Sequence, residues 1–334
     1  MNQRERVMAA IKGEEVDRVP FSLWLHDFTR ENTAEALATE TVRLYNTYGF
    51  DFLKPQSRPY CFNQLWGQVF EPSTDPSLFP EITHYPIARA EDIGNLQPVD
   101  ASVGALDEQL TAYLQVRDAV GPDVPIVATV FAPLMVAGFM ADNGISEMRR
   151  LMTDAPEALE RGLDTIADAL VQHTRRCIDA GLDGVFYATT AATCSSMTPA
   201  QFDRFQRPFD LRILEAAAAA PFNIMHMCGD GILAESFVDH PVQVFSWATT
   251  PGNPSLSEWH NKTGRAVLGG LPGKPAFGNM TPEQIKAHGR KSLEEMKGRW
   301  HLLGPDCSVN PGVNPELLAA ASELGRDAFV ERPA

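Results

Sequence analysis

Short apolar runs alternate with longer amphipathic segments along most of this chain. Runs such as 124–131 and 242–247 are short and rich in β-branched and aromatic residues, which is typical of buried strands. The segments between them carry the apolar period of helices. This pattern predicts eight strands, at about residues 21–25, 48–55, 124–131, 181–188, 223–228, 242–247, 265–270 and 300–304.

Helices are predicted between most of these strands, at about residues 3–12, 34–48, 103–120, 133–180 with breaks, 199–220, 282–297 and 314–330. Buried strands separated by helices favour a parallel sheet with crossover helices. Eight such units predict an α/β fold, a (β/α)8 TIM-type barrel. We expect one domain over residues 1–334, with an N-terminal extension and a long insertion after the second strand. An open doubly wound sheet is the alternative, but no G-x-G-x-x-G motif follows the first strand.

The composition and net charge of the chain restrict the kinds of molecule that it is expected to bind. The 334 residues are 44% hydrophobic and carry a net charge of −15, which argues against nucleic acid or an anionic membrane surface as the main partner. No apolar run is long enough to span a membrane, and the charged start of the chain does not resemble a signal peptide. We therefore expect a cytoplasmic protein that binds neither nucleic acid nor membrane. The sequence leaves the oligomeric state open, and a homodimer is one option.

Three residues form a candidate metal site. His226 and Cys228 are two positions apart on the predicted fifth strand, so their side chains point to the same side. Cys307 follows the predicted eighth strand, and the carboxyl ends of barrel strands meet at one rim. Two thiolates and an imidazole would suit Zn²⁺, and three protein ligands leave the open position of a catalytic site. The spacing alone also allows small buried cysteines and a hydrogen-bonded structural histidine.

The other three cysteines have no such pattern. An odd number of widely scattered cysteines without a signal peptide does not suggest a disulfide framework. We expect ordinary thiols here, and Cys194 is the one that could be exposed at the rim; the three are Cys61, Cys177 and Cys194.

Several segments resemble the uroporphyrinogen decarboxylase superfamily, and the likeness runs nearly from end to end. They are Arg4–Val7, Asp17–Pro20, Gly49–Lys54, Thr198–Phe202 and Gly269–Gly270. Within that superfamily, His226-Met227-Cys228-Gly229 and Gly304-Pro305-Asp306-Cys307 resemble the zinc motif of methylcobamide:coenzyme M methyltransferases. Cobalamin-independent methionine synthase has a related barrel and zinc site. The resemblance implies a (β/α)8 barrel that activates a thiol on zinc for methylation.

Two segments depart from these families. Methionine synthases add a zinc-binding Glu after the next strand, whereas this chain has no carboxylate in residues 246–250. The fourth position is thus left to water, substrate or another residue. The decarboxylases carry an Arg-rich segment after the first strand, and this chain has residues 24–30 instead. A polyanionic porphyrinogen needs cationic side chains, so this difference counts against that substrate.

Five further residues are secondary candidates. Asp51 and Tyr187 could act in catalysis, the first because the decarboxylases place their catalytic Asp near the end of the second strand. His26, Trp247 and Asp230 could bind cofactor or substrate, with Asp230 behind His226 or as a helix cap. Ordinary capping, surface or core roles are open for all five.

We therefore hypothesise a zinc-dependent methyltransferase that moves a methyl group from a methylated corrinoid, methylcobalamin on a partner protein, to a thiol or pterin acceptor. The first alternative is a cofactor-free decarboxylase centred on Asp51. The second is a non-catalytic barrel that binds a corrinoid or small ligand around a structural zinc with four ligands.

Overall fold

A computed structural model describes residues 1–327. Its helices are α1 Gln3–Ile11, α2 Ala34–Tyr48, α3 Ala90–Gly94, α4 Ala105–Val120, α5 Pro133–Phe139, α6 Ile145–Asp154, α7 Pro156–Asp179, α8 Pro199–Phe205, α9 Arg207–Ala216, α10 Leu256–Thr263, α11 Pro282–Met296 and α12 Pro315–Asp327. Its strands are β1 Val69–Glu71, β2 Glu81–His84, β3 Val127–Phe131, β4 Gly184–Thr189, β5 Ile224–Met227, β6 Val244–Trp247, β7 Ala266–Leu271 and β8 His301–Pro305.

The central sheet contains six parallel strands in the order β3-β4-β5-β6-β7-β8. Every neighbouring pair of strands is parallel. At least one helix precedes each strand of this sheet, except that a short 3₁₀ helix precedes β6. This is the right arrangement for buried strands that are covered on their outer face by helices. The predicted α/β class and its parallel sheet are therefore confirmed.

Two extended segments, residues 20–25 and 50–55, connect the two edges of this sheet. Phe21 forms a parallel bridge with Leu303 of β8, and Leu53 forms one with Ile126 beside β3. The Asp51 amide donates a hydrogen bond to the carbonyl of Phe21, which links the two segments to each other. These segments occupy the places of the predicted first and second strands, as single bridges rather than as regular ladders.

Buried apolar side chains form one cluster inside the ring and a larger one between the sheet and the helices. The inner cluster contains Trp24, Phe52 and Phe186, together with Val7 and Ile11 from one face of α1. Helix α1 therefore packs across the amino ends of the strands. The opposite, carboxyl ends are left for loops, and the three candidate metal ligands lie there.

Most predicted helices are confirmed within a few residues, with one clear exception. The predicted helix over 199–220 is two helices that meet at Gln206, because Pro208 has no amide hydrogen to continue the first one. The long insertion contains the antiparallel pair β1–β2 and α3. The last predicted helix reaches Asp327, and its predicted residues 328–330 lie outside the described part of the chain. No helix within residues 1–327 is both long enough and apolar enough to cross a membrane.

Candidate metal centre

The three predicted ligands lie together at the carboxyl ends of the strands. His226 is on β5, Cys228 follows that strand directly, and Cys307 follows β8 by two residues. One ligand atom from each of them lies within 4.8 Å of the other two. His226 is buried, whereas both cysteines are half-buried and open toward the mouth of the barrel. No other group of three such side chains that could hold a metal occurs in residues 1–327.

Local backbone structure places the two sulfur atoms. The Cys228 amide donates to the carbonyl of Thr189, which extends the β4–β5 pairing by one residue. Gly229 then turns the chain with a φ of +119°, a conformation that side-chain-bearing residues rarely adopt. On the other side, a Cβ atom at Gly273 would lie 3.0 Å from the amide nitrogen of Cys307. Glycine at this position therefore lets the β7 loop approach the Cys307 backbone.

The imidazole of His226 is held by two neighbours. Its Nδ1 lies 3.1 Å from the hydroxyl oxygen of Ser246, the residue paired with it on β6. Its ring stacks on Phe186, with 5.1 Å between the ring centroids. Because Nδ1 is engaged with Ser246, Nε2 is the nitrogen left for a metal. A hydrogen-bond partner on the other ring nitrogen is the usual arrangement for a metal-binding histidine.

The side chains of Cys228 and Cys307 lie within hydrogen-bonding distance of each other. Their Sγ atoms are 3.7 Å apart. The hydrogen bond from Cys228 and the neighbouring His226 hold the pKa of Cys307 well below its ordinary value. The same hydrogen bond, followed by burial, raises the pKa of Cys228. One sulfur is therefore ready to act as a thiolate ligand, and a bound cation would favour ionisation of both.

Sulfur and imidazole nitrogen are the ligands that zinc prefers, and the residues present fit that ion. Two thiolates and one neutral imidazole balance the charge of a divalent cation. Three protein ligands leave one of four tetrahedral positions for a substrate, as in catalytic zinc sites. No carboxylate completes the set within the described residues.

A family model for uroporphyrinogen decarboxylase (URO-D) matches residues 2–327 of the chain. The chain belongs to the uroporphyrinogen decarboxylase family. It is also 24% identical over 351 aligned positions to the "Methylcobamide:CoM methyltransferase MtaA" of Methanosarcina barkeri, with 96% of this chain and 97% of that protein covered. It is 21% identical to the "Methylcobamide:CoM methyltransferase MtbA" of Methanosarcina acetivorans, with the same coverage of 96% and 97%.

Among solved structures, the fold resembles a methyltransferase from Methanosarcina mazei with a TM-score of 0.83. The two chains are 20% identical, and the match covers 98% of this chain and 99% of that one. At this identity the likeness establishes the fold. Together with the ring closed by the two extended segments, it confirms the predicted barrel class.

Asp51 and the three candidate metal ligands lie at opposite ends of the barrel. Its amide bonds to Phe21 at the start of the first segment, so it lies at the amino end of the barrel. Its carboxylate is fully buried and pairs with Arg6, at 2.8 Å, and with Arg18. Asp51 thus ties α1 to the barrel, and the expected position at the rim is corrected.

Tyr187 and Trp247 also face away from the mouth of this barrel. The Tyr187 hydroxyl donates to the carboxylate of Asp210 on α9 at 2.6 Å. Trp247 packs edge-on against Trp259 of α10, and its indole nitrogen donates to the carbonyl of Pro254. Both side chains belong to the layer between sheet and helices, because their neighbours on the strands point inward. The geometry supports core roles for them rather than catalysis or cofactor binding.

Asp230 and His26 lie in loops at the carboxyl end. Asp230 is exposed and accepts a hydrogen bond from the Thr250 hydroxyl, so it neither supports His226 nor caps a helix. His26 Nδ1 lies 2.7 Å from the buried carboxylate of Glu31, and its ring stacks on Phe28. Both residues lie at the end of the barrel that carries the candidate metal ligands.

Two of the remaining three cysteines are buried and the third is exposed. Cys61 and Cys177 are buried in the large cluster, and burial raises the pKa of the Cys61 thiol to about 12. Cys194 is exposed on the loop after β4.

Three residues near the metal ligands were not predicted. Ser246 contacts His226, as described above. Burial raises the pKa of Asp306, beside Cys307, to about 7. Burial lowers the pKa of Lys54 to about 8. Ser246 could have been found from the register of β5 and β6, whereas the other two follow from long-range packing that leaves no local pattern.

Proposed function

We propose that this chain is a zinc-dependent methyltransferase that passes a methyl group from a methylated corrinoid to a thiol acceptor. The observation that carries this proposal is the set of His226, Cys228 and Cys307, gathered at the mouth of the barrel. Three protein ligands would leave one of four tetrahedral zinc positions for the acceptor. The names of the two relatives, which both refer to methylcobamide and to methyl transfer, support the same reaction class.

The chemistry of the ligands favours a thiol over a pterin acceptor. A zinc ion held by these residues would act as a Lewis acid that lowers the pKa of a bound acceptor thiol and keeps it in the nucleophilic thiolate form. A pterin nitrogen gains less from such a site. The protein groups position the reaction: Ser246 fixes the His226 ring, and Phe186 supports it from the inner side.

The donor is proposed to be methylcobalamin carried by a partner protein, which would approach the open carboxyl end of the barrel. The amino end is covered by α1, whereas Cys228 and Cys307 at the carboxyl end are partly exposed. His26 lies among the loops of the open end and is proposed to contact the cofactor or the acceptor. The methyl group moves to the thiolate sulfur, the cobalt–carbon bond breaks, and its electron pair stays with cobalt.

The decarboxylase alternative is less consistent with the geometry. The carboxylate expected to act in that reaction, Asp51, is enclosed by Arg6 and Arg18 at the opposite end of the barrel. The binding-barrel alternative requires a fourth protein ligand, and the described residues offer three in this cluster.

The deciding experiment follows the loss of methylcobalamin absorbance in the presence of zinc-loaded protein and a panel of thiols. We expect demethylation with formation of a thioether, and none after Cys307→Ala. Uroporphyrinogen and a folate acceptor serve as competing substrates. Decarboxylation of uroporphyrinogen, or zinc-independent turnover, would contradict the proposal.

A further inference from the structure

Lys54 is a buried amine that has no role in the reaction proposed above. It follows Leu53, which pairs with Ile126, so it lies in the carboxyl half of the second segment. Its side chain is only 8% exposed and points into the ring. The ammonium lies 5.1 Å from the centre of the Phe186 ring and 6.0 Å from that of Trp24.

One aromatic ring connects this position to the candidate metal centre. Phe186 contacts the Lys54 ammonium and also stacks on the ring of His226. Lys54 donates one side-chain hydrogen bond within the described residues, to the side-chain amide oxygen of Gln56, which is a neutral group. Gln56 is itself buried, and its amide nitrogen has no partner within residues 1–327.

A buried ammonium without a carboxylate partner is costly, and an anion placed nearby lowers that cost. Within the described residues no ion pair joins Lys54 to Asp or Glu. The neighbouring charges that favour the ammonium form of Lys54 and raise its pKa are those of Cys307 first and Glu31 second. Aromatic faces of Phe186 and Trp24 add a weaker attraction.

We propose that Lys54 is the counter-charge of the metal centre, a positioning residue that offsets the negative charge added when an acceptor thiolate joins the Cys228 and Cys307 thiolates. The inference rests on the proposed function. Two cysteine thiolates balance a divalent cation, and a third thiolate leaves the group with one excess negative charge. The low-polarity wall of Trp24 and Phe186 makes a nearby positive charge more effective than it would be in water.

The proposal predicts that Lys54 distinguishes ligands by charge. Co²⁺ is loaded in place of zinc, because its visible absorbance reports ligand binding. The probes are 2-mercaptoethanol, which has a neutral tail and binds as a thiolate, and imidazole, which binds uncharged. Each is titrated at one pH into wild type, Lys54→Met and Lys54→Arg. Lys262→Met, which removes an exposed surface lysine, is the control variant.

We expect Lys54→Met to weaken 2-mercaptoethanol binding on the order of ten-fold and to leave imidazole binding unchanged. Lys54→Arg should restore most of the thiol affinity, because it keeps the charge. Equal weakening of both probes, or equal defects in the two Lys54 variants, would show that the residue acts by packing and would overturn it.

The outcome separates this inference from the proposed function. Wild-type protein that binds neither probe contradicts the proposed function and this inference with it. Wild-type and Lys54→Met proteins that bind the thiol equally well overturn the role of Lys54 alone.

Discussion

The Sγ atoms of Cys228 and Cys307 lie 3.7 Å apart, although 79 positions separate the two residues in the chain. The strands that precede them, β5 and β8, are not neighbours, because β6 and β7 lie between them. In a flat sheet, three strand spacings would hold these ends about 14 Å apart. Curvature of the sheet, together with the loop after β8, therefore brings the two sulfurs close enough to bind one ion.

The first prediction concerns metal content. Cys228→Ala and Cys307→Ala should each lose bound zinc, because two remaining ligands hold the ion far more weakly than three. Elemental analysis after dialysis against a weak chelator measures the change. We expect about one zinc per wild-type chain and almost none in either variant.

Cys194→Ala is the matched control, since this cysteine is exposed and outside the cluster. It should keep its zinc. Circular dichroism of all three variants shows whether the fold is retained. A wild-type protein that takes up no zinc after reconstitution would refute the metal site.

The second prediction concerns the hydroxyl of Ser246. Ser246→Ala removes the partner of His226 Nδ1 and frees the ring to rotate. Loss of such a partner typically lowers metal affinity about 10- to 100-fold. Competition with a chromophoric chelator gives the affinity. Ser322→Ala, which removes a buried hydroxyl bonded to the carbonyl of Tyr48, should leave it unchanged. Equal affinities in both variants would show that Ser246 does not orient the ligand.

The clustering of the three candidate ligands could be predicted from the sequence because the position of each depends on a local rule. His226 and Cys228 share a face through the two-residue period of a strand, and Cys307 follows the strand that ends at the same rim. The side-chain directions of Tyr187 and Trp247 could not be predicted in the same way. Which face a residue takes depends on the register between strands, and one position of error reverses the face.

The position of Asp51 along the barrel also could not be predicted from local sequence. Its place along the barrel is set by a hydrogen bond to Phe21, about 30 positions away in the chain, and by α1 packing over the amino end. Local periodicity carries no information on such contacts. Lys54 was missed because a lysine followed by proline resembles the exposed end of a strand, whereas the fold turns it inward.

The third prediction separates structure from catalysis at Asp51. Asp51→Asn leaves Arg6 and Arg18 without their buried partner, which should cost about 3–5 kcal/mol of unfolding free energy. Urea denaturation measures the loss. Zinc content should not change, because the residue lies at the far end of the barrel.

The control for that variant is Asp203→Asn, which removes an exposed partner of Arg207 and should cost less than about 1 kcal/mol. If Asp51→Asn instead kept its stability and lost turnover, the carboxylate would be catalytic after all.

The last prediction concerns stability in acid. Burial lowers the pKa of His173 and of His301 from 6.5 to about 4 in the folded protein. Between these values the unfolded chain binds more protons, so the stability due to each neutral histidine is complete above pH 6.5 and is lost as the pH falls toward about 4. Urea unfolding of metal-free, reduced protein across this range measures the slope. His301→Gln should flatten it, whereas the exposed His84→Gln should not. Identical slopes in all three proteins would show that neither of the two substituted histidines resists protonation on folding.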